Sequence, residues 1–272
     1  MKHFINLNNP ELNFCEVKIS NFPDGQIGVE LDLDCFQEYR NVQIRSRFSS
    51  YQDLFKILAT NQILQDRGFS VELWCPYILS ARSDRKFKPN QSFDLKIVSQ
   101  ILNSCNFESI FVLDAHSDVL PALIDRCVVN SAYEWIKLVK FNWKDKILIS
   151  PDAGAYKKIF SLSDKLNCEL LSGSKVRMPG GSPQVVIHGD VKDRDCVIVD
   201  DICDGGRTFI ELGKLLKEMG AKSVTLFVTH GIFSKGIQLE NVDSIYTTNS
   251  YQPFDETLQS DYFHFINVFS NE

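Results

Sequence analysis

The chain has 272 residues, 44% hydrophobic and 24% charged, with a formal net charge of −6 at pH 7. That is apolar content for a packed core in one large domain or two ordinary ones, and it excludes a globally disordered chain. The acidic balance argues against a nucleic-acid partner, so any phosphate site must be built locally from loops and a few basic residues.

The eight cysteines are scattered, with no C-x-x-C pair. They read as reduced thiols, which points to a cytoplasmic protein. The first residues lack a basic stretch followed by an apolar one, so no signal peptide is expected. No apolar run approaches membrane-spanning length, so no membrane partner is expected.

In chain order, the first fifty residues read as β-rich. His3–Leu7, Cys15–Ile19, Ile27–Leu33 and Val42–Arg45 are short apolar or alternating runs between Asn, Pro and Gly turns. From Tyr51 the period changes. Tyr51, Leu54, Phe55 and Leu58 mark one face of a helix that ends near Gly68. Beyond it, strands are predicted at Ser70–Cys75, Ser109–Leu113, Lys146–Ser150, Val185–His188, Cys196–Val199 and Ser223–Thr229. Helices are predicted at Ser92–Asn103, Ser131–Val139, Ala153–Lys165 and Thr208–Met219. This alternation implies an α/β protein with mostly parallel sheet flanked by helices. A polar break at Phe141–Lys144 suggests a division into 1–141 and 142–250, with the tail 251–272 joining the first part.

Polar clusters follow directly on the predicted strands, where ligands bind in open α/β sheets. The most informative runs from Val197 to Phe209. An apolar run suited to a buried parallel strand ends in Asp200 and Asp201. Asp204, Gly205, Gly206, Arg207 and Thr208 then lead into a helix, whose N-terminus attracts anions. The carboxylates can take vicinal sugar hydroxyls, and the loop can take a phosphate on the same sugar. The plain alternative is an acidic strand end before a tight turn.

The other clusters also have two readings each. Arg82, Asp84, Arg85 and Lys86 are either a solvated loop of cancelling charges or a polyphosphate clamp. His116, beside Asp114, is either a satisfied histidine or a metal ligand. Asp152 is by itself best read as the cap of the helix that follows. Ser172–Pro183 reads as a loop carrying Lys175 and Arg177, either an exposed hairpin or a mobile lid over a transferring phosphate.

Taken together these motifs resemble the phosphoribosyl pyrophosphate synthetases, also called ribose-phosphate diphosphokinases. The likeness rests on Phe22-Pro23-Asp24-Gly25-Gln26, on Pro76-Tyr77 with Ala81 to Pro89, on Asp114-Ala115-His116 and on Ser150-Pro151-Asp152-Ala153-Gly154. Gly189-Asp190-Val191 and Thr229 to Ser234 follow in the family's order. The resemblance implies two phosphoribosyltransferase-like domains with the active site between them. It implies ATP as co-substrate, Mg²⁺ as cofactor and a homo-oligomer, a dimer or a multiple of dimers. It implies transfer of the diphosphate of ATP to the anomeric hydroxyl of a 5-phosphorylated ribose, with release of AMP.

Carried over by position, Phe22, Asp24, Gln26, Arg82, Ser83 and Asp84 would hold ATP. His116 and Asp152 would lie at the metal, and Lys175 and Arg177 would be the catalytic cations. Asp200 and Asp201 would hold the ribose hydroxyls, and Asp204 to Thr208 the 5-phosphate.

The sequence departs from the family at Gln26 (a Glu there), Ser83 (a Gln there) and Arg207 (a Gly there), and a helix after Asn9-Pro10-Glu11-Leu12 is missing. Arg207 leaves two acceptors close to even. Its guanidinium suits the second phosphate of ADP-ribose, as in short members of the family that serve NAD synthesis; pointing to solvent or paired with an acidic neighbour, it leaves ribose 5-phosphate. A phosphoribosyltransferase would need no Arg82–Lys86 or Asp114–His116 cluster. A catalytically silent regulatory relative should lack His116 or the cations Lys175 and Arg177, which are all present.

Overall fold

The computed structural model describes residues 3–36, 40–176 and 184–270. The chain forms two compact units: Met1–Ser131 with Ser250–Gln252 and Val268–Glu272, and Ala132–Asn249 with Pro253–Asn267.

The first unit is built on a parallel sheet of β1 (His3–Asn6), β4 (Asn41–Arg45), β5 (Ser70–Trp74), β6 (Ser109–Leu113) and β7 (Cys127–Asn130), in the order β1-β4-β5-β6-β7. A separate antiparallel hairpin joins β2 (Val17–Asn21) to β3 (Ile27–Leu31). Helix α1 (Tyr51–Asp66) starts at a capping box. Ser50 Oγ accepts from the Asp53 amide, and Asp53 Oδ2 accepts from the Ser50 amide at 2.9 Å. Its Leu54, Ile57 and Leu64 enter the core that Val71 and Leu73 of β5 also fill. Helix α2 (Asp94–Ser104) buries Leu95, Val98 and Leu102 there, and the short α3 (Val119–Leu123) adds Leu120.

One expectation fails here. Cys15 and Cys35 are joined in a disulfide, with Cα atoms 6.0 Å apart, while the other six cysteines are free. The reading of all eight as reduced thiols is therefore corrected, and the cytoplasmic placement loses that support. Among the described residues no helix is long and apolar enough to cross a membrane.

The second unit holds seven strands in the order β10-β9-β8-β11-β12-β13-β14. They are β8 (Lys146–Ser150), β9 (Glu169–Val176), β10 (Gln184–Ile187), β11 (Asp195–Cys203), β12 (Ser223–Gly231), β13 (Ser244–Thr248) and β14 (Phe263–Ile266). All neighbours run parallel except β9 and β10. The central strands are apolar on both faces because both are covered. Ile147, Ile149 and Ile198 face α6 (Arg207–Glu218), where Phe209, Leu212 and Leu216 pack on them. Leu148, Val197 and Val199 face the opposite layer, with Ile136 of α4 (Tyr133–Ile136) and Ile159 and Leu162 of α5 (Ala153–Leu166).

Helix α4 is far shorter than the predicted Ser131–Val139. The loop predicted at Ser172–Pro183 is also corrected. Ser172 to Val176 continue β9, with Ser172 beside Ser150 of β8 and Lys175 beside Val185 of β10. Arg177 and the rest of that stretch to Pro183 lie outside the described residues.

Candidate active site

The second unit carries the acceptor half of the predicted site. Strand β11 ends at Cys203, and the chain turns through Asp204, Gly205 and Gly206 into α6. Gly206 has φ +76°, in the left-handed region, and a Cβ there would lie 2.4 Å from Leu239 Cδ2. Glycine is therefore required at this turn on both counts. The Cys203 carbonyl accepts from the amides of Ile232 and Phe233, at 2.8 and 3.1 Å. Ser234 then bonds the loop twice: its amide donates to the Asp204 carbonyl at 3.2 Å, and its hydroxyl to Asp204 Oδ1 at 2.6 Å. The loop is thus fixed from outside while α6 presents its N-terminal amides, an anion site by geometry and dipole.

Asp200 and Asp201 stand on the strand before this loop. Asp201 donates its amide to Asp200 Oδ1 at 2.9 Å. Burial pushes the Asp200 carboxyl well above the usual carboxylate range, and Asp201 and Asp152 add to the push. Two neighbouring carboxyl groups at a strand end suit the hydroxyls of a vicinal diol. Asp152 is the N-cap of α5, its Oδ1 accepting from the amides of Gly154 and Ala155 at 2.9 and 3.0 Å. The capping reading is therefore correct, and the same carboxylate also raises the Asp200 pKa. The Cys203 thiol, pushed up to about 12 by burial first and then by Asp200 and Asp204, is no nucleophile.

Arg207 turns away from the loop. Its Nε donates to Glu211 Oε1 at 2.7 Å, one helical turn on, and both side chains are exposed. The acidic-neighbour alternative is the one observed. Thr208 is exposed in the first turn of α6. Lys175 sits on β9, on the second strand out from β11.

Sequence reasoning misses Lys235. Its stem lies over the loop, with Cδ and Cε 3.6 and 3.7 Å from where a Cβ on Gly205 would start. No motif marks it; only its place next to the Ser234 that ties down Asp204 could have drawn attention.

The first unit carries the other clusters. Phe22, Asp24 and Gln26 are all exposed at the tip of the β2–β3 hairpin. The Phe22 amide donates to the Gln26 carbonyl at 2.8 Å, and Asp24 Oδ1 accepts from the Gln26 amide at 3.0 Å. The Phe22 ring lies against Gly28, 3.2 Å from where a Cβ would be. Asp84 is buried in the loop after β5, and exposed Arg85 grips it bidentately, Nε to Oδ1 at 2.8 Å and a terminal nitrogen to Oδ2 at 2.9 Å. This fork, with help from the Ser117 hydroxyl and the charges of Arg85 and His116, holds the Asp84 carboxyl at about 2 against the opposing effect of burial. So His116, exposed after β6, acts electrostatically on Asp84. Arg82 is exposed on the same loop, and the Ser83 hydroxyl accepts from the Asp94 amide at 3.4 Å where α2 begins.

Among the described residues no three His, Cys, Asp or Glu side chains converge into a ready-made metal cage. Mg²⁺, usually held by one or two carboxylates with water and substrate phosphates, needs no such cage.

Residues 126–261 match the phosphoribosyl transferase domain model. The chain is 30% identical over 234 residues to a ribose-phosphate pyrophosphokinase of Ureaplasma parvum serovar 3, covering 82% of this chain and 70% of that protein. It is 28% identical over 271 residues to the ribose-phosphate pyrophosphokinase of Nitrosomonas europaea, covering 95% and 85%. A crystal structure of phosphoribosylpyrophosphate synthetase from Mycobacterium smegmatis superimposes with a TM-score of 0.80 at 22% identity, over 98% of this chain and 95% of that one, a likeness of fold. The chain therefore belongs to the ribose-phosphate pyrophosphokinase family, enzymes of the ATP-dependent diphosphokinase type.

Proposed function

We propose that this enzyme transfers the β,γ-diphosphate of ATP to the anomeric hydroxyl of ribose 5-phosphate, giving the 1-diphosphate of that sugar and AMP. The observation that carries the acceptor is the pairing of Arg207 with Glu211. With its Nε donated to Glu211, Arg207 leaves the Asp204–Thr208 loop to a phosphate monoester. ADP-ribose is the alternative acceptor that the test below distinguishes.

In this reading Asp204 to Thr208 hold the 5-phosphate through α6 amides, and Asp200 and Asp201 hold the ribose hydroxyls. Phe22, Asp24, Gln26, Arg82, Ser83 and Asp84 serve ATP, the ring of Phe22 stacking on the base and Arg82 pairing with phosphate oxygens. His116 and Asp152 would hold Mg²⁺. The metal would supply positive charge to the phosphate oxygens. Lys175 and Arg177 stabilise the charge that develops on the transferring group, since phosphoryl transfer asks the protein mainly for positioning and electrostatics. A homo-oligomer is the assembly proposed, on the family likeness alone.

The test mixes protein, ATP and Mg²⁺ with ribose 5-phosphate or ADP-ribose and follows AMP release. AMP release with ribose 5-phosphate supports the reading; AMP release only with ADP-ribose overturns the acceptor. The Lys175→Ala variant is expected to lower kcat by about 10²–10³ with little change in KM, the pattern for a cation acting at the transition state.

A further inference from the structure

The acceptor loop has an electrostatic problem. Asp200, Asp201 and Asp204 all lie within five residues of chain, and the charge of Asp152 also reaches Asp200. A helix N-terminus contributes only about half an elementary charge against them. A doubly charged phosphate ester bound there needs a side-chain cation as well. Arg207, the cation in the loop itself, is taken by Glu211.

We propose that Lys235 is that cation, and that it determines specificity for a 5-phosphorylated over an unphosphorylated sugar. Its methylenes lie along the backbone at Gly205, with Cγ, Cδ and Cε 3.9, 3.6 and 3.7 Å from the point where a Cβ would start. Cε is the last carbon before the ammonium, so the stem brings the charge to the neighbourhood of the loop. The backbone beside Lys235 is tied to the same loop, since Ser234 bonds Asp204 through both its amide and its hydroxyl. Three other cations of this unit are engaged away from the loop: Lys146 with Asp195, Arg194 with Glu169, Lys217 with Asp243. Lys235 is exposed and has no ion-pair or hydrogen-bond partner among the described residues. A lysine is suited to the task as a compact charge on a flexible arm.

This rests on the acceptor reading above, and the experiment separates the two. Binding of ribose 5-phosphate and of ribose is measured by calorimetry for the wild type, Lys235→Ala and Lys235→Arg, alongside kcat and KM. A charge-assisted hydrogen bond to a phosphate corresponds to a weakening of about 10- to 100-fold when it is lost. Lys235→Ala is therefore expected to weaken ribose 5-phosphate binding and raise its KM by that factor. The KM for ATP and the already weak binding of ribose should not move, and Lys235→Arg should restore most of the loss. Equal binding of ribose 5-phosphate by wild type and Lys235→Ala overturns the proposal, as does an equal weakening for ribose. If the wild type binds ribose 5-phosphate with the Lys235 dependence but releases no AMP, the reaction reading fails and the Lys235 site stands. If the wild type does not bind ribose 5-phosphate, both fall.

Discussion

Arg207 Nε donates to Glu211 Oε1 at 2.7 Å, i to i+4 on the first turns of α6. The pair shows how one residue can stand in a phosphate loop by sequence and outside it by geometry. Exposed pairs of this kind contribute little to stability. Arg207→Ala is therefore expected to leave the choice between ribose 5-phosphate and ADP-ribose unaltered, with no resolvable loss of stability. Separating the two products from a competition assay checks this, and a shift in their ratio on removing Arg207 would contradict it.

Asp200 gives a pH prediction. Its folded-state pKa is raised, by burial first and then by Asp201. A raised carboxylate contributes stability at low pH that is lost as pH rises from the ordinary carboxylate range through the raised value. Asn cannot ionise, so Asp200→Asn removes that loss. The variant should melt above the wild type at pH 8, with the gap closing toward pH 4, while its turnover falls at least about 10-fold for want of a matched ligand to the diol. Melting curves across pH check the first part, and parallel curves for the two proteins would refute it.

The sequence made the central layers easy to read because they are buried on both faces. β8, β11 and β12 are continuous apolar runs, and Phe209, Leu212 and Leu216 repeat at helical spacing on α6. β9 escaped because Ser172, Gly173 and Ser174 have the composition of a loop. Their strand state comes from the ladders to β8 and β10, which are tertiary facts. The Cys15–Cys35 bridge spans 20 positions with no motif to mark it. β13 and β14 are short strands at the edge of the sheet. Within the site, residue types and order pointed to the loop and its carboxylates. Orientation did not follow from them: nothing in the run Asp204-Gly205-Gly206-Arg207-Thr208 says that Arg207 faces Glu211 or that Lys235 covers Gly205.

Asp84 and Arg85 give a second pH signature, of opposite sign. The Arg85 fork holds Asp84 at about 2, below the ordinary value of 3.8. A depressed carboxylate contributes stability that is complete above its unfolded pKa and lost as pH falls through the folded one. The window is therefore about pH 4 down to 2. Arg85→Ala should narrow that acid-side loss while lowering stability at neutral pH. Denaturant titrations at pH 7 and pH 3 check it; an unchanged difference between the two would count against the pairing.

The two glycines of the acceptor loop should fail in different ways. Gly206 has φ +76°, and a Cβ there meets Leu239 Cδ2 at 2.4 Å, where Leu239 is itself buried. Alanine would be strained by its backbone and would also push a packed side chain. Strain and overpacking each cost about 1–3 kcal/mol. Gly206→Ala should therefore lower Tm by roughly 5–15 °C, taking each kcal/mol as about 2–4 °C for a chain of this size. At Gly205 a Cβ has only ordinary contacts, the nearest being Lys235 Cδ at 3.6 Å. Gly205→Ala should keep its Tm and instead raise the KM for ribose 5-phosphate, because a methyl group there stands in the approach of the phosphate to the loop. Thermal melts and acceptor KM values on the two variants decide the matter. A large Tm loss at Gly205 with none at Gly206 would show that this turn is not built as described.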